Sequence, residues 1–312
     1  MSVSIITSQN KVNQNQKVLG SSNNYIQSII EFKNILMELT KFRITFFVTV
    51  TTTVGFLLSS GKFNLDLLIV SLGVLVLASG ASSLNEYQER NSDAKMERTK
   101  LRPIPAGRIS KNNALFISIV LILFGSAILF VNGLTVLLLG IFTLIWYNGV
   151  YTNLKTKTAY AILPGSLVGA LPPVIGWAAA GGNIFDSEIL ALAGFLFVWQ
   201  IPHFWLLLLM YDKEYKDAGY PTLSNVLNSA QIVKITFAWI VILVLSSALL
   251  IFVDLSSGII SNLILVVLGI SVLFATIKII KDQEREVYRK NFHFINLYVL
   301  CILFLITIEN LV

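Results

Sequence analysis

Residues 67–103 read LLIVSLGVLVLASGASSLNEYQERNSDAKMERTKLRP. The apolar half is long enough to cross a bilayer, which takes about 20 such residues. It runs straight into the densest charge cluster of a chain in which only 13% of residues are charged. If the helix continues past the apolar run, Asn85, Glu89 and Asp93 stand at i, i+4 and i+8 and line one face on successive turns. Such a row of oxygens suits a hard cation, and Mg²⁺ is usually held by one or two carboxylates together with substrate phosphates. Arg98 and Arg102 follow with planar donor forks that match phosphate, and Lys95 and Lys100 add point charges. Carboxylates for a metal and guanidinium groups for phosphate together describe a diphosphate site. The same residues also suit a solvated connection whose acids pair with its own bases, and spacing alone leaves both readings open.

The apolar pattern recurs along the chain. Hydrophobic residues make up 55% of the 312 positions and the mean hydropathy is +0.76, which excludes a soluble domain with one core. Runs at 44–60, 67–87, 113–132, 134–151, 160–180, 187–211, 234–253, 258–280 and 293–311 predict nine transmembrane helices and an all-α, polytopic membrane protein. Residues 1–25 are rich in Ser, Asn and Gln, with neither the h-region of a secretory signal nor an Arg-rich transit pattern. They read as a disordered cytoplasmic tail, followed by an amphipathic approach over 25–39 into a single nine-helix domain spanning 26–312. A lone Cys301 excludes an internal disulfide and a multi-cysteine metal site, and His203 and His293 are the only histidines.

The net charge of +6 does not point to nucleic acid, because of where the charge lies. Lys11, Lys17, Lys33, Lys41 and Arg43 precede the first span. Arg90, Lys95, Arg98, Lys100, Arg102, Arg108 and Lys111 follow the second, and every later base falls in an even-numbered connection. Only Lys62 lies on the other side. The positive-inside rule therefore puts the N-terminus in the cytoplasm and the C-terminus outside.

Two further stretches carry candidate chemistry. The connection after the sixth span reads YDKEYKDAGYP over 211–221, and Asp212, Glu214 and Asp217 could supply a second set of oxygen ligands, with Lys213 and Lys216 beside them. Within the sixth span, Trp199, Gln200, Ile201, Pro202, His203 and Phe204 place an ionisable imidazole roughly 14 Å inside the membrane at 1.5 Å per residue. Such a group is a functional candidate, although a neutral imidazole bonded to a neighbouring helix fits as well. Pro164, Pro172, Pro173 and Pro202 read as kinks, and the Gly165, Gly169 and Gly176 series reads as close helix packing around a cavity.

The run Asn85–Pro103, the Tyr151–Lys155 element, the Gly169–Trp177 segment, Trp199–Trp205 and Ala218–Pro221 resemble the UbiA-type intramembrane prenyltransferases over roughly residues 38–310. The WQIPHFW segment is similar to the haem-specific branch, the protohaem IX farnesyltransferase family. The resemblance implies a nine-helix UbiA-type bundle with a central cavity opening to the cytoplasmic side beneath two acidic loops. It implies transfer of farnesyl from farnesyl diphosphate to a vinyl group of haem B in the route to haem A, in a bacterial plasma membrane. Asn85, Glu89 and Asp93 would then be the first metal–diphosphate motif, with Arg98, Arg102 and Lys155 beside it and Mg²⁺ bound. Glu214 and Asp217 would be the second metal set, and His203, Trp199 and Gln200 the haem contacts. A haem A synthase is the implied protein partner. Glu89 stands where the wider superfamily has Asp, the second loop lacks a regular Asp-x-x-x-Asp spacing, and Ala161 replaces an expected Asn. An aromatic or quinone-precursor acceptor remains the alternative within the fold, and a transporter the alternative outside it.

Overall fold

The computed structural model describes residues 27–311. The proposed tail at 1–25 lies outside them. Helix α1 (27–39) is followed by α2 (Phe42–Ser60), α3 (Leu65–Asp93), α4 (Lys111–Val131) and α5 (Leu134–Leu154). The second half comprises α6 (Ala159–Ala179), α7 (Ser187–Asp217), α8 (Ser229–Phe252), α9 (Ile259–Ile280) and α10 (Arg285–Glu309). Among the described residues there are no strands, and α2–α10 are each long and apolar enough to span a membrane. The nine predicted spans match these helices, with boundaries that move at the polar ends, where turns beyond the hydrocarbon have no apolar signal.

Two apolar clusters knit the bundle. One joins Val54 and Leu58 of α2 to buried residues of α6–α10, including Phe195, Leu206, Ile240, Tyr298 and Ile302. The other joins α2 and α3 through Phe56, Leu57, Val70 and Leu77 to Leu129, Val136 and Ile175. Packing without a hydrophobic driving force between helices favours small residues at crossings. At the α2–α6 crossing, a Cβ on Gly176 would lie 1.9 Å from the Thr52 carbonyl oxygen, and one on Gly55 would lie 2.0 Å from that of Pro173. These glycines seat the two helices backbone to backbone. Pro172 and Pro173 lie inside α6 and Pro202 inside α7, and both helices run on through them.

Three local features place polar side chains at one end of the bundle. Helix α3 does not stop with its apolar residues at 87 but continues to Asp93. Helix α5 loosens over Ile145–Tyr151 into a π-type turn closed by a bond from Thr152 N–H to the Tyr147 carbonyl, a geometry common at functional sites. Helix α7 breaks at Tyr211 (φ −130°, ψ 19°) and then makes further helical turns to Asp217. The stretch 211–217, expected as loop, is therefore a re-aimed end of α7, and only 218–221 turns away. Its lysines and Glu214 are good helix formers once the kink carries them beyond the membrane.

Candidate active site

Helical spacing puts Asn85, Glu89 and Asp93 on one buried face of α3, as expected from the sequence. Each meets a different cation. Lys41 Nζ donates to Asn85 Oδ1 at 2.6 Å, Lys155 forms an ion pair with Glu89, and Arg102 donates to Asp93 Oδ2 at 2.6 Å. These three bases come from the α1–α2 junction, the end of α5 and the α3–α4 connection. The row therefore gathers three separate parts of the chain. Asn85 is fixed from its other side as well, its Nδ2 donating to Thr152 Oγ1 at 3.1 Å, which in turn donates to the Tyr147 carbonyl at 2.9 Å.

Lys41 was not among the residues that spacing singled out. It joins α1 to α2 in the left-handed region (φ 49°, ψ 48°), which a non-glycine residue rarely occupies. Burial, together with the neighbouring Arg102 and Lys155 charges, lowers the pKa of its ammonium to about 8 against the opposing pull of the Glu89 and Asp93 carboxylates. Arg102 is half-buried, yet the Asp93 carboxylate holds it more firmly in its charged form than usual. Glu86 is the second residue that spacing missed. It is fully buried, accepts from the Ile104 backbone N–H at 3.1 Å, and keeps a second oxygen with no partner among the described residues.

The π-type turn supplies an aromatic wall. Tyr147 and Tyr151 stack with centroids 6.0 Å apart and planes 18° apart, and the Lys155 ammonium lies 5.7 Å from the Tyr151 ring and 5.6 Å from that of Tyr220. Gly165 of α6 makes room, since a Cβ there would lie 2.5 Å from the Tyr151 ring.

Arg98 stands apart from Arg102. It closes the seam between the α3–α4 connection and the end of α7: its backbone N–H donates to Glu214 Oε2 at 3.2 Å and its guanidinium to the Tyr215 hydroxyl at 3.2 Å. The guanidinium also lies 5.4 Å from the Tyr211 ring, which faces Arg285 at 5.0 Å. Met96, Ala218 and Tyr220 pack beneath. Asp212 is held by Ser224 and by Lys216, the latter at 2.9 Å, whereas Lys213 and Asp217 are exposed. Thus Glu214 belongs to the interlocked cap and Asp217 to its outer surface.

Deeper along α7, Trp199 Nε1 donates to Asn296 Oδ1 at 3.0 Å, and His203 Nδ1 lies 2.9 Å from the same oxygen. Gln200 packs onto Gly169, where a Cβ would fall 1.3 Å from its amide nitrogen.

No three Asp, Glu, His or Cys side chains form a self-contained metal cage among the described residues. The donor set nonetheless fits Mg²⁺, which takes few protein carboxylates and leaves room for phosphate oxygens and water. Glu89 and Asp93, with the amide oxygen of Asn85 on the same face of α3, are hard donors, and the bases beside them match phosphate.

A buried row of one amide and two carboxylates, each paired with a half-buried base, lies at the polar end of a bundle of membrane-spanning helices, as in an intramembrane enzyme. The model of the UbiA prenyltransferase family matches residues 48–298, and the chain belongs to that family; it is a multi-pass membrane prenyltransferase. It is 37% identical over 279 residues to the Protoheme IX farnesyltransferase of Legionella pneumophila (strain Paris), covering 88% of this chain and 94% of that one. Among solved structures it resembles a digeranylgeranylglyceryl phosphate synthase, with TM-score 0.74 and 16% identity over 90% of this chain and 99% of that one. A UbiA homologue from Archaeoglobus fulgidus, bound to GPP and Mg²⁺, aligns with TM-score 0.66 and 13% identity over 89% and 99%.

Proposed function

We propose that this chain transfers a farnesyl group from farnesyl diphosphate to a vinyl group of haem B, giving haem O. The observation that carries the reading is the matched row: Asn85, Glu89 and Asp93 are each paired with a base, Lys41, Lys155 and Arg102. The 37% identity to Protoheme IX farnesyltransferase supports the choice of substrates. A buried site preloaded with cations can accept a diphosphate without having to assemble counter-charges at the moment of reaction.

The barrier is cleavage of the C1–O bond, with the electron pair leaving on pyrophosphate. Arg102, Lys155 and Lys41 exchange their carboxylate and amide partners for phosphate oxygens and stabilise that charge. Mg²⁺, held by Asn85, Glu89 and Asp93 with Glu214 on the cap side, would act as a Lewis acid on the departing diphosphate. The stacked faces of Tyr147 and Tyr151 shelter the allylic cation. The vinyl π electrons form the new C–C bond at C1, and the resulting cation beside the porphyrin takes hydroxide from water with release of one proton. The cap sealed by Arg98 and Glu214 limits capture of the farnesyl cation by bulk water. His203, Trp199 and Gln200 contact the haem.

The enzyme lies in the bacterial plasma membrane with its N-terminus and the Arg98–Glu214 cap in the cytoplasm and its C-terminus outside, and a haem A synthase consumes its product. Pyrophosphate release tests the reading. Purified protein should release pyrophosphate from farnesyl diphosphate only when both haem B and Mg²⁺ are present, and chelation should stop it. Release driven by an aromatic quinone precursor, with haem B inert, would overturn the acceptor.

A further inference from the structure

Asn296 of α10 holds two donors of α7 on one oxygen. Asparagine oxygen and nitrogen are ordinarily interchangeable in a structure. Here Trp199 settles which is which, because an indole N–H can only donate. The atom 3.0 Å from Trp199 Nε1 must therefore be the amide oxygen, and the same oxygen lies 2.9 Å from His203 Nδ1. An amide oxygen has only lone pairs, so Nδ1 must carry the proton. In a neutral imidazole the lone pair is then on Nε2, which makes no hydrogen bond to any described residue and is not sealed in. The ring itself is clamped by Trp199, Phe204 and Phe292, with centroids at 5.1, 5.4 and 4.6 Å.

We propose that Asn296 is a positioning residue that fixes His203 as its Nδ1–H tautomer and so presents Nε2 as an axial ligand to the iron of haem B. This rests on the reading of 199–205 as the haem site. Among the described residues the imidazole bonds through Nδ1 alone and leaves Nε2 bare and reachable. A haem propionate is a poor alternative partner, since an ionised carboxylate only accepts hydrogen bonds and Nε2 has no proton to give. Iron requires the opposite: a bare nitrogen whose ring is oriented by a bond on the far side, the arrangement that sets tautomer and basicity in metal-bound histidines.

The test is titration of the purified full chain with ferric haem B and, separately, with metal-free protoporphyrin IX, following affinity and the Soret band. Asn296→Leu should weaken haem B binding about 10–100-fold, the usual cost of losing such a supporting bond. It should also shift the Soret band to that of His203→Ala while protoporphyrin affinity stays unchanged. Asn296→Asp keeps the acceptor and should retain the wild-type band, with a stiffer iron–imidazole stretch by resonance Raman. Added imidazole should restore the band in His203→Ala. Equal losses for haem and protoporphyrin, a wild-type band in Asn296→Leu, or an unmoved stretch in Asn296→Asp would each overturn the role of Asn296. Tight binding of both porphyrins with no change in His203→Ala would leave the haem site standing and remove iron ligation. Failure of the wild type to bind either porphyrin would remove the haem reading and this inference together.

Discussion

Asp93 and Arg102 form the ion pair on which the proposed diphosphate site turns. Their 2.6 Å bond compensates the buried Asp93 carboxylate with a half-buried guanidinium. Asp93→Asn is nearly isosteric but removes a hard ligand, so turnover should fall by at least about 10²-fold while the protein stays folded, the scale set by losing one electrostatic stabiliser. Normal turnover in that variant would remove Asp93 from the metal set. Lys41 donates to Asn85 and lies against the same row. Lys41→Met should raise KM for farnesyl diphosphate at least about tenfold, with haem B affinity unchanged, since one charge-assisted contact contributes about 1.5–3 kcal/mol. Asn85, Glu89 and Asp93 were legible in the sequence because their spacing is local. Lys41, Glu86 and Asn296 were not: Lys41 and Asn296 lie far along the chain from the groups they serve, Glu86 falls outside the i, i+4, i+8 pattern, and none has a pattern of its own.

At the level of elements, the same contrast between local and distant signals appears. Hydropathy located the nine spans because burial in lipid demands long apolar runs. It could not show that α7 turns at Tyr211 and continues to Asp217, because the polar residues there look like a loop by composition. The glycine series in α6 was readable as close packing, but which helix it faced was not. Gly176 meets the Thr52 carbonyl at a distance no Cβ can occupy. Gly176→Leu should therefore push α6 off α2, lowering detergent thermal stability by about 1–3 kcal/mol or more, the cost of overpacking a close-packed core. Gly194, which has open space around its missing Cβ, should tolerate Gly194→Ala with little change. Comparable melting of the two variants would contradict the crossing.

Across the whole molecule, charge distribution and site geometry agree on one working face. The positive-inside rule predicts the basic connections on a single side, and the contact between Arg98 and Glu214 joins two of them. An alkaline phosphatase reporter inserted at Gly181 should be active outside the cytoplasm, and one inserted at Gly107 inactive; the reverse pattern would invert the orientation. The nine spans, and the shared face of Asn85, Glu89 and Asp93, could thus be read before any coordinates. The proposed haem contacts rested on one heptapeptide, because a pocket assembled from several helices depends on mutual rotations that leave no periodic trace in sequence. The most direct measurement is to incubate purified protein with haem B, farnesyl diphosphate and Mg²⁺ and to separate the haems by reversed-phase chromatography with mass detection. A more retained haem carrying the mass of a hydroxyethylfarnesyl addition is expected, and unchanged haem alongside a prenylated aromatic acceptor would contradict farnesyl transfer to haem.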